Sequence, residues 1–168
     1  MPEPEQQQVE AASGVASGRP PSISIRNYMA SQHLWNARRE AWLCRNREET
    51  LLDEQNVDRP HRSHAMAAIW SAVAFLEALV NEVGQDAAEV GRGQSKEYIE
   101  GIPDVAIATM RELWTGKEKA ERMLSSISKF QVALVCAGHQ RMERGAEPYQ
   151  SVDILINLRN DLVHFKPQ

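Results

Sequence analysis

The sequence predicts an all-α protein, a bundle of about five helices. Long segments carry apolar residues every three or four positions, which is the period of an α-helix. Pro and Gly residues separate these segments, and no segment shows the sustained apolar and polar alternation, enriched in β-branched residues, that is typical of strands. We predict helices over residues 23–49, 62–81, 105–114 and 117–137, and a last helix that begins between 148 and 151 and ends before Pro167.

The first predicted helix is amphipathic and rich in aromatic residues. Its apolar face consists of Leu34, Ala37, Ala41 and Cys44, with Tyr28, Trp35 and Trp42 alongside at seven-residue spacing. Tryptophans on helical stripes are more often core residues than base-stacking platforms. The tryptophans of the chain, Trp35, Trp42, Trp70 and Trp114, are therefore predicted to lie mainly in the core.

The second predicted helix has the clearest periodicity in the chain. Asp58-Arg59-Pro60 marks a break before it. Its stripe consists of Met66, Ile69, Trp70, Val73, Leu76, Val80 and Val83. Because Gly84, Gly91 and Gly93 flank a polar stretch, we expect the helix to end near Asn81 or a little beyond and a loose connection to follow.

The last two predicted helices end at two different signals. Gly138 is placed to cap the fourth helix, whose stripe is Met123, Ile127, Phe130 and Leu134. Pro167 stops the final helix, because a proline cannot continue it. The residues that this final helix is predicted to bury are Val152, Leu155, Ile156, Leu162 and Val163.

Residues 1–22 differ in composition from the rest of the chain. They are rich in Pro, Glu, Gln, Ser, Gly and Ala and almost lack large apolar side chains, so burial cannot offset the entropy lost on ordering. We predict a disordered tail over 1–22 and one helical domain over 23–168, because 168 residues suffice for a single sizeable core.

Charge and hydropathy argue against several classes of protein. The net charge of −4 does not suit a protein that coats nucleic acid by bulk electrostatics, so any RNA contact must be local. Acidic residues nearly cancel the arginines between Arg26 and Arg62, which favours a solvated face over a binding stripe. Neither a run of about 18 uncharged apolar residues nor a signal-peptide pattern is present, so we expect a cytoplasmic protein without a membrane contact.

Cysteine and histidine patterns give little support for a metal or redox centre. Cys44 and Cys136 each lie beside apolar residues and are predicted to be reduced core residues. His61 and His64 begin the second helix, but a metal site there would need further ligands. The two cysteines, on unrelated helices, are poorly placed to supply them, so we predict no metal and no cofactor.

The strongest candidate site lies in the last helix, where three polar residues interrupt an apolar segment. Arg159 follows Val152 by seven residues, so it lies on the predicted buried stripe and its charge should face an interface or cleft. Asn160 and His164 are four residues apart and share a face, so the amide can orient the imidazole. His164 is roughly 140° around the helix from Arg159, so one copy presents a split site.

Two copies of this helix packed about a two-fold axis would bring two histidines and two arginines into one cleft. There, one imidazole can take the proton of an RNA 2′-hydroxyl, the other can protonate the departing 5′-oxygen, and the guanidinium groups can hold the phosphate. A structural alternative stays open, in which Arg159 pairs with a helix carboxylate and His164 caps the final turn.

The segment Leu158-Arg159-Asn160-Asp161-Leu162-Val163-His164 resembles the signature of the HEPN superfamily, in which an Arg is followed by a polar residue and, a few positions later, by a His. The resemblance implies a helical bundle, commonly a homodimer, and often a metal-independent endoribonuclease of toxin-antitoxin, antiviral or RNA-processing systems. It implies that Arg159 and His164 are catalytic and that Asn160 supports them. RNA or a nucleotide, and an antitoxin protein, are the partners implied. A non-catalytic HEPN-like module that binds nucleotide, RNA or a partner protein remains the alternative.

A second polar pair lies at the edge of the second helical stripe. Glu77 follows Val73 by four residues, and Asn81 lies one turn further on. A carboxylate on the core side should have a cationic partner, and Arg159 or His164 can supply it if the second and last helices pack together. We predict that Glu77 and Asn81 support the site, although Glu77 could equally point to solvent.

Overall fold

The computed structural model is an all-α helical bundle, as the sequence predicts. It describes residues 9–10, 24–25, 27–50, 56–91, 96–116 and 120–164. The helices are α1 (Ala30–Glu48), α2 (Arg59–Glu89), a 3₁₀ turn (Glu97–Ile99), α3 (Asp104–Thr115), α4 (Ala120–Met123), α5 (Ser126–Cys136) and α6 (Tyr149–Val163).

Most of the predicted tail at 1–22 lies outside the described residues. Within it, β1 (Val9–Glu10) pairs with β2 (Ser24–Ile25) in a two-residue antiparallel ladder, in which Val9 lies opposite Ile25. The predicted start of the first helix at residue 23 is wrong, because β2 occupies residues 24–25 and the helix begins at Ala30. The backbone N–H groups of Met29 and Ala30 donate to Glu82 Oε1, at 2.6 and 3.1 Å, so a side chain of α2 caps α1.

Helices α1 and α2 form an antiparallel hairpin. At one end Tyr28 donates to Asp86, and at the other Arg47 donates to Asp58. Asp58 is the N-cap of α2, since its side chain accepts from the backbone N–H of His61 at 2.8 Å. The break that the sequence predicts before the second helix is therefore confirmed.

Helix α2 runs to Glu89, well beyond the predicted end near Asn81. Gly84 does not break it. It is buried against the indole of Trp114 in α3, and a Cβ at this position would overlap the ring. Gly84 is therefore a packing residue, and the prediction of a loose connection from this point is wrong.

The fully closed part of the core lies between α2 and α3. Its buried cluster consists of Ala87, Val90, Ile99, Ile107 and Met110. By length and mean hydropathy α2 could also cross a membrane. A central helix of a globular bundle meets the same criteria, and α2 contacts α1, α3, α5 and α6.

The predicted helix over 117–137 is two helices. Leu124 and Ser125 separate α4 from α5, and the Ser125 hydroxyl accepts from the backbone N–H of Ser128 at 3.3 Å as a new N-cap. Residues 117–119 lie outside the described part of the chain. Gly138 has φ +79°, which confirms the predicted C-terminal cap of α5.

Helix α6 is less buried than predicted. None of its residues is fully buried, and Val163 is exposed. Ile154 and Leu158, which share a face, are 67% and 42% exposed. A whole side of α6 is therefore uncovered in the single chain.

Three of the four tryptophans are exposed, which contradicts the predicted core positions. Trp114 is buried, whereas Trp35 and Trp42 are 57% and 60% exposed and Trp70 is also exposed. Positions 35 and 42 each lie two residues before a core-facing position, Ala37 or Cys44. Two residues are about 200° of helix, so these tryptophans point away from the core.

Candidate functional site

A polar cleft of about 580 Å³ lies where α6 meets α2 and the start of α5. Four of its lining residues are Glu77 and Asn81 from α2 and Arg159 and Asn160 from α6. The cleft thus brings together four of the five predicted site residues, as two pairs that are 78 or more positions apart in the sequence.

Arg159 occupies the cleft through an ion pair with Glu77. Its Nη2 donates to Glu77 Oε1 at 3.0 Å, so the predicted pairing between the second and last helices is present. Glu77 Oε1 also accepts from the Ser126 hydroxyl at 3.3 Å. The Nε of Arg159 is buried and has no hydrogen-bond partner among the described residues, so the guanidinium keeps an unused donor.

Lys129 also lines the cleft, and it is not among the site residues predicted from the sequence. It is only 5% exposed, and its Nζ donates to Asn81 Oδ1 at 2.8 Å. It is the single charged residue of α5, whose sequence is SISKFQVALVC. A lone cation in an apolar helix needs a polar environment, and that signal could have identified it.

His164 stands at the end of α6, outside the lining of the cleft. Its backbone N–H donates to Asn160 O at 2.8 Å, and its side chain is exposed. No hydrogen bond joins the Asn160 amide to the His164 imidazole in the described part of the chain. His164 follows the cleft residues Asn157 and Asn160 by seven and four positions, so it lies on the cleft side of the helix.

The cleft is balanced in formal charge and rich in hydrogen-bonding groups. Arg159 and Lys129 supply two cations, and Glu77 and Asp153 supply two carboxylates. Asparagine amides at 81, 157 and 160 complete the polar lining. Guanidinium, ammonium and amide N–H groups together can bind the oxygens of a phosphate.

The outer face of α1 combines exposed aromatic and basic side chains. The Arg39 guanidinium carbon lies 5.8 Å from the Trp35 ring centroid. Trp42 is exposed on the same side, with Arg38 and Arg45 flanking it. Two of these arginines are paired with acidic residues, Arg39 with Glu40 and Arg45 with Glu49, and Glu40 also contacts His64 of α2.

The prediction that the cysteines are poorly placed to join a histidine is wrong for Cys44. The hairpin brings the end of α1 to the start of α2, so Cys44, Glu48 and His61 lie together. His64 lies one turn further on, with its Nδ1 2.7 Å from Glu40 Oε2. Both Cys44 and Cys136 are free thiols, and burial raises the pKa of each.

No family model, curated protein or solved structure matches this chain. The features of the molecule that bear on its function are the side chains of the cleft, the uncovered side of α6 and the motif at residues 158–164.

Proposed function

We propose that the chain is a metal-independent endoribonuclease whose active site forms when two copies bring their α6 helices to a shared cleft. The observation that carries this proposal is the state of Arg159. Its guanidinium lies in a polar cleft, is held on one edge by Glu77 and has a buried Nε without a partner among the described residues. A phosphate oxygen is a suitable acceptor for that donor.

The proposed reaction uses the two histidines of the dimer as acid and base. One His164 imidazole removes the 2′-hydroxyl proton, and the 2′-oxygen attacks the neighbouring phosphorus while the bond to the 5′-oxygen breaks. The second imidazole protonates that 5′-oxygen, so the products are a 2′,3′-cyclic phosphate and a free 5′-hydroxyl. Arg159 from each copy stabilises the added negative charge on the phosphate.

The exposure of α6 supports a second copy as the missing part of the site. Ile154 and Leu158 form an exposed apolar face on the outer side of the helix, and Val163 is a further exposed apolar residue at its C-terminal end. Apolar side chains exposed together favour a protein contact. Since a two-fold interface meets itself, we propose a contact that includes the C-terminal end of α6, where it brings both copies of His164 close to the same axis.

The resemblance of residues 158–164 to the HEPN signature supports the same assignment, with Asn160 beside the catalytic pair. It also supports a place in a toxin-antitoxin or defence system, where a partner protein restrains the nuclease.

A cleavage assay in EDTA tests the proposed activity. We expect the full chain to cut a fluorescent single-stranded RNA but not the same sequence with 2′-deoxyribose, and to leave cyclic phosphate ends. Arg159→Ala and His164→Ala should each lose at least about 100-fold in rate, as expected for loss of a transition-state donor or a general acid and base.

Matched controls use a cation and an imidazole away from the cleft. Arg141→Ala and His139→Ala change exposed residues of the α5–α6 connection and should cut RNA at the wild-type rate. Folded wild-type protein that leaves RNA intact in EDTA, or a His164→Ala variant with full activity, would contradict the proposal.

A binding module is the second candidate, and one observation favours it. In the single chain His164 lies outside the cleft lining, while Arg159 already has a carboxylate partner. A protein that binds RNA through Arg159 without cutting it would show affinity that falls in Arg159→Ala and does not change in His164→Ala.

A further inference from the structure

The open end of the hairpin brings three chemically different ligand groups together. Cys44 and Glu48 are one turn apart on α1, and His61 lies in the first turn of α2. The Cys44 sulfur, a Glu48 oxygen and a His61 ring nitrogen all lie within 4.8 Å of one another. None of these residues takes part in the proposed RNA chemistry.

We propose that Cys44, Glu48 and His61 bind a zinc ion that joins the end of α1 to the start of α2. Thiolate, imidazole and carboxylate are the ligand types that zinc takes in proteins, and three of them leave one tetrahedral position for water. The mixture of sulfur and nitrogen ligands disfavours magnesium and calcium, which prefer oxygen.

The ligand separations fit zinc after small side-chain movements. Zinc–ligand bonds of about 2.0–2.3 Å in a tetrahedron place neighbouring ligand atoms about 3.4–3.6 Å apart. Cys44 Sγ lies 3.9 Å from Glu48 Oε1, and His61 Nε2 lies 2.8 Å from the same oxygen. On zinc binding, the imidazole gives up its contact with Glu48 and both coordinate the ion.

Neighbouring groups hold the site in place and balance its charge. Asp58 accepts from the backbone N–H of His61, and it also accepts from Arg47, so this arginine is already paired. A Cys44 thiolate and a Glu48 carboxylate together match the two charges of zinc.

The pair formed by His64 and Glu40 is the natural comparison. It has the same two residue types, with 2.7 Å between His64 Nδ1 and Glu40 Oε2, on the same two helices. Among the described residues, no third ligand group lies with His64 and Glu40 as Cys44 lies with His61 and Glu48. The zinc site is also separate from the cleft, since His61 and Glu77 are 16 residues apart on α2, about 24 Å.

Cobalt(II) and zinc binding to the reduced full chain test the proposal. We expect cobalt to give a thiolate-to-metal charge-transfer band that zinc displaces, with one ion bound per chain. Cys44→Ser should abolish the band, and His61→Gln should weaken zinc binding at least tenfold. The matched controls Cys136→Ser and His64→Gln should keep both the band and the affinity.

Zinc should also raise the melting temperature of wild type and of both controls, but not that of Cys44→Ser. A folded wild-type protein without the cobalt band would overturn the proposal, and so would a band that persists in Cys44→Ser and disappears in Cys136→Ser. Because the RNA assay is carried out in EDTA, failure of the zinc site and failure of the nuclease proposal give separate results.

Discussion

Helix α2 makes two unlike contacts along much the same side, a closed face against α3 near Gly84 and, two turns earlier, an open face against α6 near Glu77. Toward α3 it is apolar and closed, because Gly84 lets the indole of Trp114 lie directly against the helix and Val80 is fully buried. Toward α6 it is polar and open, because Glu77 and Asn81 face a cleft of about 580 Å³. Both faces belong to one continuous helix, so they differ only through their side chains and their neighbours.

Each of the two faces also contains a buried N–H donor without an acceptor in the described part of the chain, and the consequences differ. The Trp114 Nε1 and the Arg159 Nε are both buried without a hydrogen-bond partner among the described residues. The Trp114 Nε1 belongs to a ring packed against Gly84 in the closed core, where an unpaired donor costs stability. The Arg159 Nε belongs to a residue that lines the cleft, and we propose that a bound phosphate accepts from it. The closed face determines the fold, and the open face is where we propose the chemistry.

The largest expected effect comes from a side chain inserted into the closed face. Gly84→Leu should lower the free energy of unfolding by about 3 kcal/mol or more, because the new side chain must displace the Trp114 ring. Thermal denaturation measures this effect, with Gly145→Ala as a control at a position where a Cβ has open space. Equal melting temperatures for wild type and Gly84→Leu would mean that the Trp114 ring does not close the face of α2 at Gly84.

A change on the open face should affect activity more than stability. Glu77→Gln removes the carboxylate that orients Arg159, and we expect cleavage to fall about tenfold, about 1.4 kcal/mol in transition-state free energy. The free energy of unfolding should change by less than about 1 kcal/mol, because both side chains are partly exposed to water. Cleavage rates and melting curves measure the two effects, and Glu112→Gln is the control. A Glu77→Gln variant that melts at a much lower temperature but cleaves RNA at the wild-type rate would show that the cleft is structural.

The outer face of α1 provides a third surface for the comparison. Trp42→Ala should weaken single-stranded RNA binding by about 1 kcal/mol, about fivefold, because one base loses a stacking partner. Its stability should stay close to wild type, since the side chain is exposed. Fluorescence anisotropy with an uncleavable RNA measures the affinity, and unchanged binding would restrict the RNA contact to the cleft.

The smallest expected effect concerns the surface ion pair at the start of α2. Hydrogen bonds from Arg47 and from the His61 backbone lower the pKa of Asp58 from 3.8 to about 2. A lowered folded-state pKa means that this carboxylate stabilises the fold above about pH 4 and that the contribution disappears as the pH falls toward 2. Asp58→Asn should flatten the loss of stability over that range, whereas Asp104→Asn should keep the wild-type slope in acid denaturation.

The sequence predicted much of this architecture because helical periodicity is a local signal. The strong stripe of α2 and the cap at Gly138 followed from signals within single helices. The pairing of Glu77 with Arg159 was predicted only on the condition that the second and last helices pack together. The misses depend on neighbours distant in the chain. Gly84 reads as a helix breaker until Trp114, 30 residues later, covers it.

The same limit applies to the two polar sites. Lys129 lies in the cleft because α5 begins at a cap formed by Ser125, and no pattern in the sequence aligns α5 with α6. Cys44 approaches His61 because the hairpin closes at that level, which depends on the register between two helices. Such registers are set by packing and cannot be obtained from the period of either helix alone.

Helix α6 has no fully buried residue, so its stability should depend on whether a second copy of the chain covers it. A helix so lightly held is expected to open locally far more often than α2, and its amide hydrogens to exchange with solvent correspondingly faster. If a second copy covers it, association supplies the burial that the lone chain does not provide. Dilution would then separate the two copies and destabilise the helix that carries Arg159 and His164. The proposed nuclease would lose activity without any inhibitor.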